Sequence, residues 1–288
     1  MKPVSFDYQR PNNICEALEL LNEDHDARIL AGGQSLIPML SMRLSRPSML
    51  IDIGHIEELA KMENTEGHIE IGAMVRQEAA RTDYSIKSFL PLLAKGLKFV
   101  GHKPTRVRGT IGGSLAHADP SAEICLVAVT LGAEIVYHDF GEDLVFDASE
   151  FFIGPMLTLA PQNGCLTKIR FPKCQGVCGT GFREIAPRQS DYSIASAAAQ
   201  ICAEDSGVVT NVRLGIGSVG DYPELLNVAE LIGTPLNDNL IKDIVESATA
   251  EIETVEDLHA SAAYRKRVVT ELAIRALLDA RDDLQRLT

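Results

Sequence analysis

Early in the chain, a polar cluster (Pro11-Asn12-Asn13) precedes Ile14, Ala17, Leu18 and Leu21 at helical spacing, and the polar stretch Asn22 to Asp26 stops the pattern. Arg28 to Ala31 reads as a short strand that runs into Gly32-Gly33. A short helix is expected over Leu36 to Leu44, with Pro38 tolerated in its first turn, and a second strand over Met49 to Ile53. This order of strand, glycine loop, helix and strand sets the glycines at a strand's carboxyl end, where α/β units gather ligands.

From His55 onward the period changes. Leu59 to Glu63 and His68 to Gly72 are expected to pair as a hairpin, followed by helices over Val75–Arg81 and Ser85–Val100. A loop rich in glycine and cations, Gly101 to Gly109, leads into a second glycine pair, Gly112-Gly113. Asp119-Pro120 has the chemistry of a helix start, Asp as cap and Pro in the first turn, for a helix over Ser121–Leu131 that ends at Gly132. Strands are expected at Ala133–His138, Leu144–Phe146 and Cys165–Phe171. The stretch Pro172 to Gly181, with three glycines and a proline, reads as the main boundary. Beyond it Phe182–Ile185, Ser193–Cys202 and Val208–Val219 look strand-like, although the alanine run 195–199 also admits a helix. Helices are expected over Pro223–Ile232, Asn239–Ile252 and Ser261–Leu287. The domains implied are 1–175, with subdomains of about 1–54 and 55–175, and 180–288, a small antiparallel sheet covered by helices.

The chain has 288 residues, 45% of them apolar, enough to build real cores. The net charge of −13 argues against nucleic acid and anionic lipid as partners. No apolar leader follows Met1 and no apolar run approaches the ~20 residues of a membrane span, so the expected setting is the cytoplasm. The six cysteines read there as reduced, mostly buried and isolated thiols. Cys165, Cys174 and Cys178 have no C-x-x-C pair and no nearby histidine, so no metal site is expected. Gly215-Ile216-Gly217-Ser218-Val219-Gly220 matches the dinucleotide fingerprint, but Asp221-Tyr222-Pro223 prevents the helix that the motif must open. No hydrolase elbow or phosphate-binding P-loop is present, and no residue is expected to act as a catalytic acid, base or nucleophile.

Ala31-Gly32-Gly33-Gln34-Ser35 and Thr110-Ile111-Gly112-Gly113-Ser114 share one pattern, an apolar residue, two glycines and a nearby hydroxyl. Such pairs let a backbone approach a ligand closely and form concavities of N–H groups that suit phosphate oxygens. Two of them suggest a diphosphate gripped from two sides, with the hydroxyls of Ser35, Thr110 and Ser114 in support. Arg106 and Arg108 stand as candidate counter-charges or as solvated surface residues. His117 is either a ligand contact or a loop residue. Glu123 suits a ribose hydroxyl better than a phosphate, and it also suits a helix N-terminus. Tyr192 is a candidate for stacking on a ring.

With Asp119-Pro120-Ser121-Ala122-Glu123 added, these motifs resemble the medium, FAD-binding subunits of molybdenum hydroxylases, and the resemblance runs over essentially the whole chain. It implies an α+β protein: a two-subdomain FAD-binding fold of the vanillyl-alcohol-oxidase type, then a C-terminal domain. It implies that Ile29, Leu30, Ala31, Gly32, Gly33, Gln34, Ser35 and Leu36, with Thr110, Ile111, Gly112, Gly113 and Ser114, clasp the FAD diphosphate. It places Gly101 against FAD, Glu123 on the adenosine ribose, and Arg183 and Tyr192 near the flavin. Gln34 stands where the carbon monoxide dehydrogenase form has His, and Ser114 where Asn is commoner, which disfavours carbon monoxide as substrate. Gln34 and the run Ala116 to Pro120 are closer to quinoline-type subunits. The family's partners are a large molybdenum-cofactor subunit, which hydroxylates an N-heteroaromatic substrate, and a small 2Fe–2S subunit. They assemble as a dimer of heterotrimers, and electrons pass through the clusters to this FAD and on to an external acceptor. The competing expectations are a self-contained flavin oxidase of the same fold and an assembly subunit without cofactor.

Overall fold

A computed structural model describes residues 2–174, 176–204 and 207–287. The first unit is β1 (Asp7–Gln9), α1 (Ile14–Glu23), β2 (Arg28–Leu30), α2 (Leu36–Met42) and β3 (Met49–Asp52). Asn13 caps α1 by accepting a hydrogen bond from the Glu16 N–H at 3.0 Å. The three strands form a parallel sheet in the order β1-β3-β2. Ala17, Leu18 and Leu21 of α1 pack on it with Ile51 and Ile53.

Next come β4 (Met62–Asn64), β5 (His68–Gly72), α3 (Gln77–Thr82), α4 (Tyr84–Phe89) and α5 (Pro91–Gly96). The helix expected over 85–100 is broken in two, because a residue before proline is pushed out of the helical region and Leu90 sits at φ −130°, ψ 56°. The cation-rich loop contains a helix, α6 (Lys103–Arg108), and the second glycine pair lies inside another, α7 (Ile111–His117), rather than in a loop. Thr110 makes this possible by capping α7, its hydroxyl accepting from the Gly113 N–H at 2.9 Å.

The helix expected from Ser121 starts at Glu123, giving α8 (Glu123–Leu131). Asp119 does not cap it. Its carboxylate accepts from the Ser121 N–H at 2.8 Å, a local turn that keeps Pro120 outside the helix. After α8 come β6 (Glu134–Asp139), β7 (Glu142–Asp147), α9 (Ala148–Phe151), a hairpin of β8 (Phe152–Gly154) and β9 (Leu157–Thr158), and β10 (Cys165–Pro172). These complete an antiparallel sheet in the order β4-β5-β10-β6-β7. Its core runs from Ile69, Ile71, Ile169 and Phe171 into α5 and α8.

The last unit is β11 (Val177–Ile185), β12 (Ala195–Ala203), β13 (Val209–Gly217), β14 (Glu224–Leu226), α10 (Asp238–Thr249) and α11 (Ala262–Leu287). The four strands are antiparallel in sequence order. The alanine run is strand, and every residue of β12 is buried. Ala198 joins the core around α8 while Ala195, Ala197 and Ala199 join the core under α11. Small side chains are needed because helices press on both faces. The same packing explains the Gly215–Gly220 decoy: a Cβ on Gly215 would lie 2.1 Å from Thr130 Oγ1 of α8, so the glycine admits a helix rather than a nucleotide. The helix expected over Pro223–Ile232 is absent. Leu214↔Leu226 and Ile216↔Glu224 pairing draws that segment onto the sheet, and a single 3₁₀ turn over Ala229–Leu231 follows. Among the described residues no helix is long and apolar enough to cross a membrane.

Three of the six cysteines are not the isolated, reduced thiols expected from the sequence: Cys174 lies at disulfide-bonding distance from Cys178 and Cys202, and Cys15, Cys125 and Cys165 are the free ones among the described residues. Register sets Cys178 directly opposite Cys202, and Cys174 folds back on both, so their sulfurs lie within 4.8 Å of one another. Cys202 is the member that linear spacing could not group, because only the β11–β12 pairing brings it across.

Candidate functional site

The two glycine stretches meet. A Cβ on Gly32 would lie 2.3 Å from the Arg108 carbonyl oxygen and 2.8 Å from Gly109 Cα, and one on Gly113 would come within 3.5 Å of Ala31 Cβ. Between and around them lies a cavity of about 670 Å³, within the range of sites for sizeable organic ligands. Of the residues expected to hold a cofactor, Ile29, Ala31, Gly32, Gly33, Gln34, Ser35, Leu36, Gly101, Thr110, Gly112, Gly113, Ser114, His117, Glu123 and Tyr192 line it. Leu30 and Ile111 do not. Ile111 is fully buried in the core that α7 closes, where its side chain serves packing.

The two stretches do different work. At the end of β2 the backbone N–H groups of Gly32, Gly33, Gln34 and Ser35 have no hydrogen-bond partner among the described residues. Gly33 is left-handed, φ +71°, and the Gln34 amide braces the turn by donating to the Gly32 carbonyl at 3.2 Å. Four consecutive free donors on a cavity wall make a nest for an anion. In the second stretch the donors from Ile111 to Ser114 are all committed. The N–H of Ile111 goes to Val75 O at 3.0 Å, that of Gly112 to Ala73 O at 3.0 Å, that of Gly113 to Thr110 Oγ1, and that of Ser114 to Thr110 O at 3.3 Å. The expected two-sided grip by backbone donors is therefore one-sided. Gly112 is there because a Cβ would meet Ala73 Cα at 2.6 Å, and Thr110 is spent on its cap. Ser35 and Ser114 retain hydroxyls without a protein partner among the described residues.

Arg106 is not a phosphate ligand. Its guanidinium donates to Glu78 at 2.8 Å and to the Val100 and Gly101 carbonyls at 2.9 and 2.7 Å, which fixes the turn that offers Gly101 to the cavity. With Arg81 as its other partner, Glu78 is held down at about 2. Arg108 does not line the cavity. Neither does Arg183, which pairs bidentately with Asp279 of α11 at 2.5 and 2.8 Å, away from the cavity wall. A strand residue facing a helix acid finds its partner there.

Glu123 opens α8 on the cavity wall. Burial pushes its carboxyl up to about 8, against the pull of a backbone N–H, and the charges of Glu184 and Asp119 add to the rise. Glu184 itself is raised to about 7 by burial. Tyr192 stands exposed at the cavity mouth, with partial burial first and then the charges of Asp119 and Glu123 raising its phenol. Sequence reasoning missed Gln77 of α3. It is buried, its amide donates to the Thr110 carbonyl at 3.3 Å, and its Oε1 has no partner. A lone glutamine carries no sequence signal; only the orphaned oxygen on the cavity wall marks it.

FAD fits this cavity. The free donor nest suits a diphosphate, the glycines let the two stretches close on each other around the cavity, and the Glu123 carboxyl on its wall suits a sugar hydroxyl. The pattern for the FAD binding domain in molybdopterin dehydrogenase matches residues 4–174, and that for the CO dehydrogenase flavoprotein C-terminal domain matches residues 180–280. The chain belongs to the FAD-binding medium subunits of molybdenum hydroxylases. As a medium subunit it is an oxidoreductase component and a flavoprotein. It is 33% identical to the caffeine dehydrogenase subunit beta of Pseudomonas sp. (strain CBB1), covering 100% of this chain and 98% of that one. Identity to the nicotine 6-hydroxylase medium subunit of Paenarthrobacter nicotinovorans is 31%, covering 97% and 99%. The solved quinoline 2-oxidoreductase from Pseudomonas putida 86 superposes with a TM-score of 0.92 at 32% identity, covering 98% of this chain and 99% of that one. These relatives are named as subunits of larger complexes.

Proposed function

We propose that this chain carries FAD as the electron-transfer subunit of a molybdenum hydroxylase acting on an N-heteroaromatic substrate. It works in the cytoplasm beside a large molybdenum-cofactor subunit and a small 2Fe–2S subunit, in a dimer of heterotrimers. The observation that carries the reading is the row of four unpartnered N–H groups from Gly32 to Ser35, which suits the diphosphate of FAD. Ser35 and Ser114 add hydroxyls, Gly113 and Gly101 allow close approach, and Tyr192 covers the ring at the mouth. Glu123 accepts from a sugar hydroxyl. The adenosine ribose, the sugar that the family resemblance implies for this position, is its partner in this reading. His117 lines the same cavity. Bound FAD supplies the redox chemistry, taking electrons from the iron–sulfur clusters and passing them to an external acceptor. In this reading the chain's own residues bind and orient the cofactor. The heteroaromatic class is supported by relatives named for nicotine, caffeine and quinoline.

The test is to purify the chain with its neighbouring subunits and measure flavin, iron and molybdenum. Flavin bleaching on adding quinoline, nicotine or a purine, with a hydroxylated product, supports the reading. A chain that takes up no FAD on reconstitution overturns it.

A further inference from the structure

Outside the flavin cavity, three thiols converge at the start of the C-terminal sheet. Cys178 of β11 and Cys202 of β12 are directly opposed, with sulfurs 3.2 Å apart. Cys174, just beyond the end of β10, sets its sulfur at disulfide-bonding distance from both, and one sulfur can form that bond with only one of them. All three Sγ atoms lie within 4.8 Å of one another. A disulfide consumes two sulfurs and strands the third against it. One ion bonded to thiolates at ~2.3 Å uses all three, at mutual separations of ~3.8 Å, so the Cys178 and Cys202 sulfurs need to part slightly from 3.2 Å, while that of Cys174 must swing out of its contact with both.

The surroundings suit a metal. Cys202 is buried, and Gln200, also buried, donates its amide to the Cys202 sulfur at 3.7 Å. Donors to a ligand sulfur orient it and stabilise its anionic form. Cys174 and Cys178 are half-buried, which leaves a path for the ion and a fourth position for water. We propose that Cys174, Cys178 and Cys202 form a three-thiolate site for a soft, borderline d¹⁰ cation, zinc(II) foremost. Binding releases the thiol protons and makes three metal–sulfur bonds, with no change of oxidation state. The ion fastens the chain where it leaves β10 to the first two strands of the C-terminal sheet. This site stands apart from the flavin cavity, which none of the three cysteines lines.

The test uses the full-length, FAD-loaded chain, reduced, stripped with chelator, given zinc(II) and desalted. The expected result is about one zinc per chain by elemental analysis, falling at least tenfold in Cys174→Ser and Cys202→Ser. Flavin content and far-ultraviolet circular dichroism should stay those of wild type. Should a variant fold poorly, cobalt(II) titration of the wild type decides, since a thiolate-to-cobalt charge-transfer band saturating near one equivalent is expected. No zinc and no such band overturns the proposal. So does a chain whose reduced thiols re-form a mapped disulfide and exclude metal, or serine variants that keep the wild-type zinc content.

Discussion

The free carboxyl of Glu123 makes cofactor binding depend on pH, with a sign set by its environment. Burial holds the group at about 8, so roughly one molecule in ten is ionised at neutral pH. A sugar hydroxyl donating to it favours the carboxylate and lowers the pKa in the complex. The unliganded chain then binds more protons than the complex, and FAD uptake expels one. Rising pH favours the complex, up to about tenfold per unit below the free pKa, and the gain flattens above about 8. If the bound pKa returns to the ordinary carboxylate value, affinity improves by about 50-fold between roughly pH 6 and pH 8.

The assay is quenching of FAD fluorescence on titration into deflavinated chain across that range, for wild type and Glu123→Gln. The variant keeps side-chain size and every other group at the site, His102 and His117 included. The ratio of the two dissociation constants therefore isolates Glu123. It should favour wild type progressively with pH and level off above about 8. A ratio constant with pH refutes the reasoning, because it means that Glu123 stays protonated in the complex or does not touch the cofactor.

Other perturbations separate the roles of the glycines and the braces. Gly33→Val places a β-branched residue at φ +71° beside Ile37, at a local cost of ~1–2 kcal/mol, and should abolish FAD retention with circular dichroism unchanged. Gly113→Val should do the same, its Cβ lying 2.7 Å from the Thr110 hydroxyl that caps α7 and its branches crowding Ala31; normal flavin content in both variants would contradict the site. Gly32→Ala drives a Cβ into the Arg108–Gly109 backbone and should cost several kcal/mol of stability in denaturant titration, because backbone cannot yield as a side chain does. Arg106→Ala strips the Val100 and Gly101 carbonyls of their donor and should lower stability by ~1–3 kcal/mol and weaken FAD retention through the Gly101 turn. Leu126→Ala opens a cavity under β13 where α8 crosses it and should cost ~2–5 kcal/mol, read as a lower midpoint of unfolding.

How much of this was legible in the sequence depended on the range over which each signal acts. Local chemistry was readable: the Asn13 cap, the strand ending in Gly32-Gly33, the break at Gly132 and the long terminal helix all rest on neighbours within a few residues. Leu90-Pro91 was just as local, yet the apolar stripe masked the break. Signals from distant partners were not readable. Glu224 to Leu226 carries a sequence that tolerates a helix, and only β13 turns it into a strand. Arg183 looked like a flavin neighbour until Asp279 claimed it. Cys202 joined its partners only through sheet register.

The paired glycine motif was the clearest signal and also the most misleading in its symmetry. Alike in sequence, the pairs solve unlike problems. In the first, Gly33 takes a left-handed turn that leaves four N–H groups facing the cavity, and Gly32 lets that turn lie against Arg108 and Gly109. In the second, Gly112 exists for contact with Ala73, and Thr110 consumes the donors that a phosphate would want. Loss of a donor nest and loss of close approach harm binding in different ways. The first removes charge-assisted hydrogen bonds; the second obstructs entry sterically. Crowding at Gly113 should therefore be relieved by a smaller replacement, so Gly113→Ala should recover more FAD retention than Gly113→Val. At Gly33 the backbone itself is at stake, and Ala shares the φ penalty with Val. Little recovery is expected there, and equal recovery at both positions would show that the two stretches act alike after all.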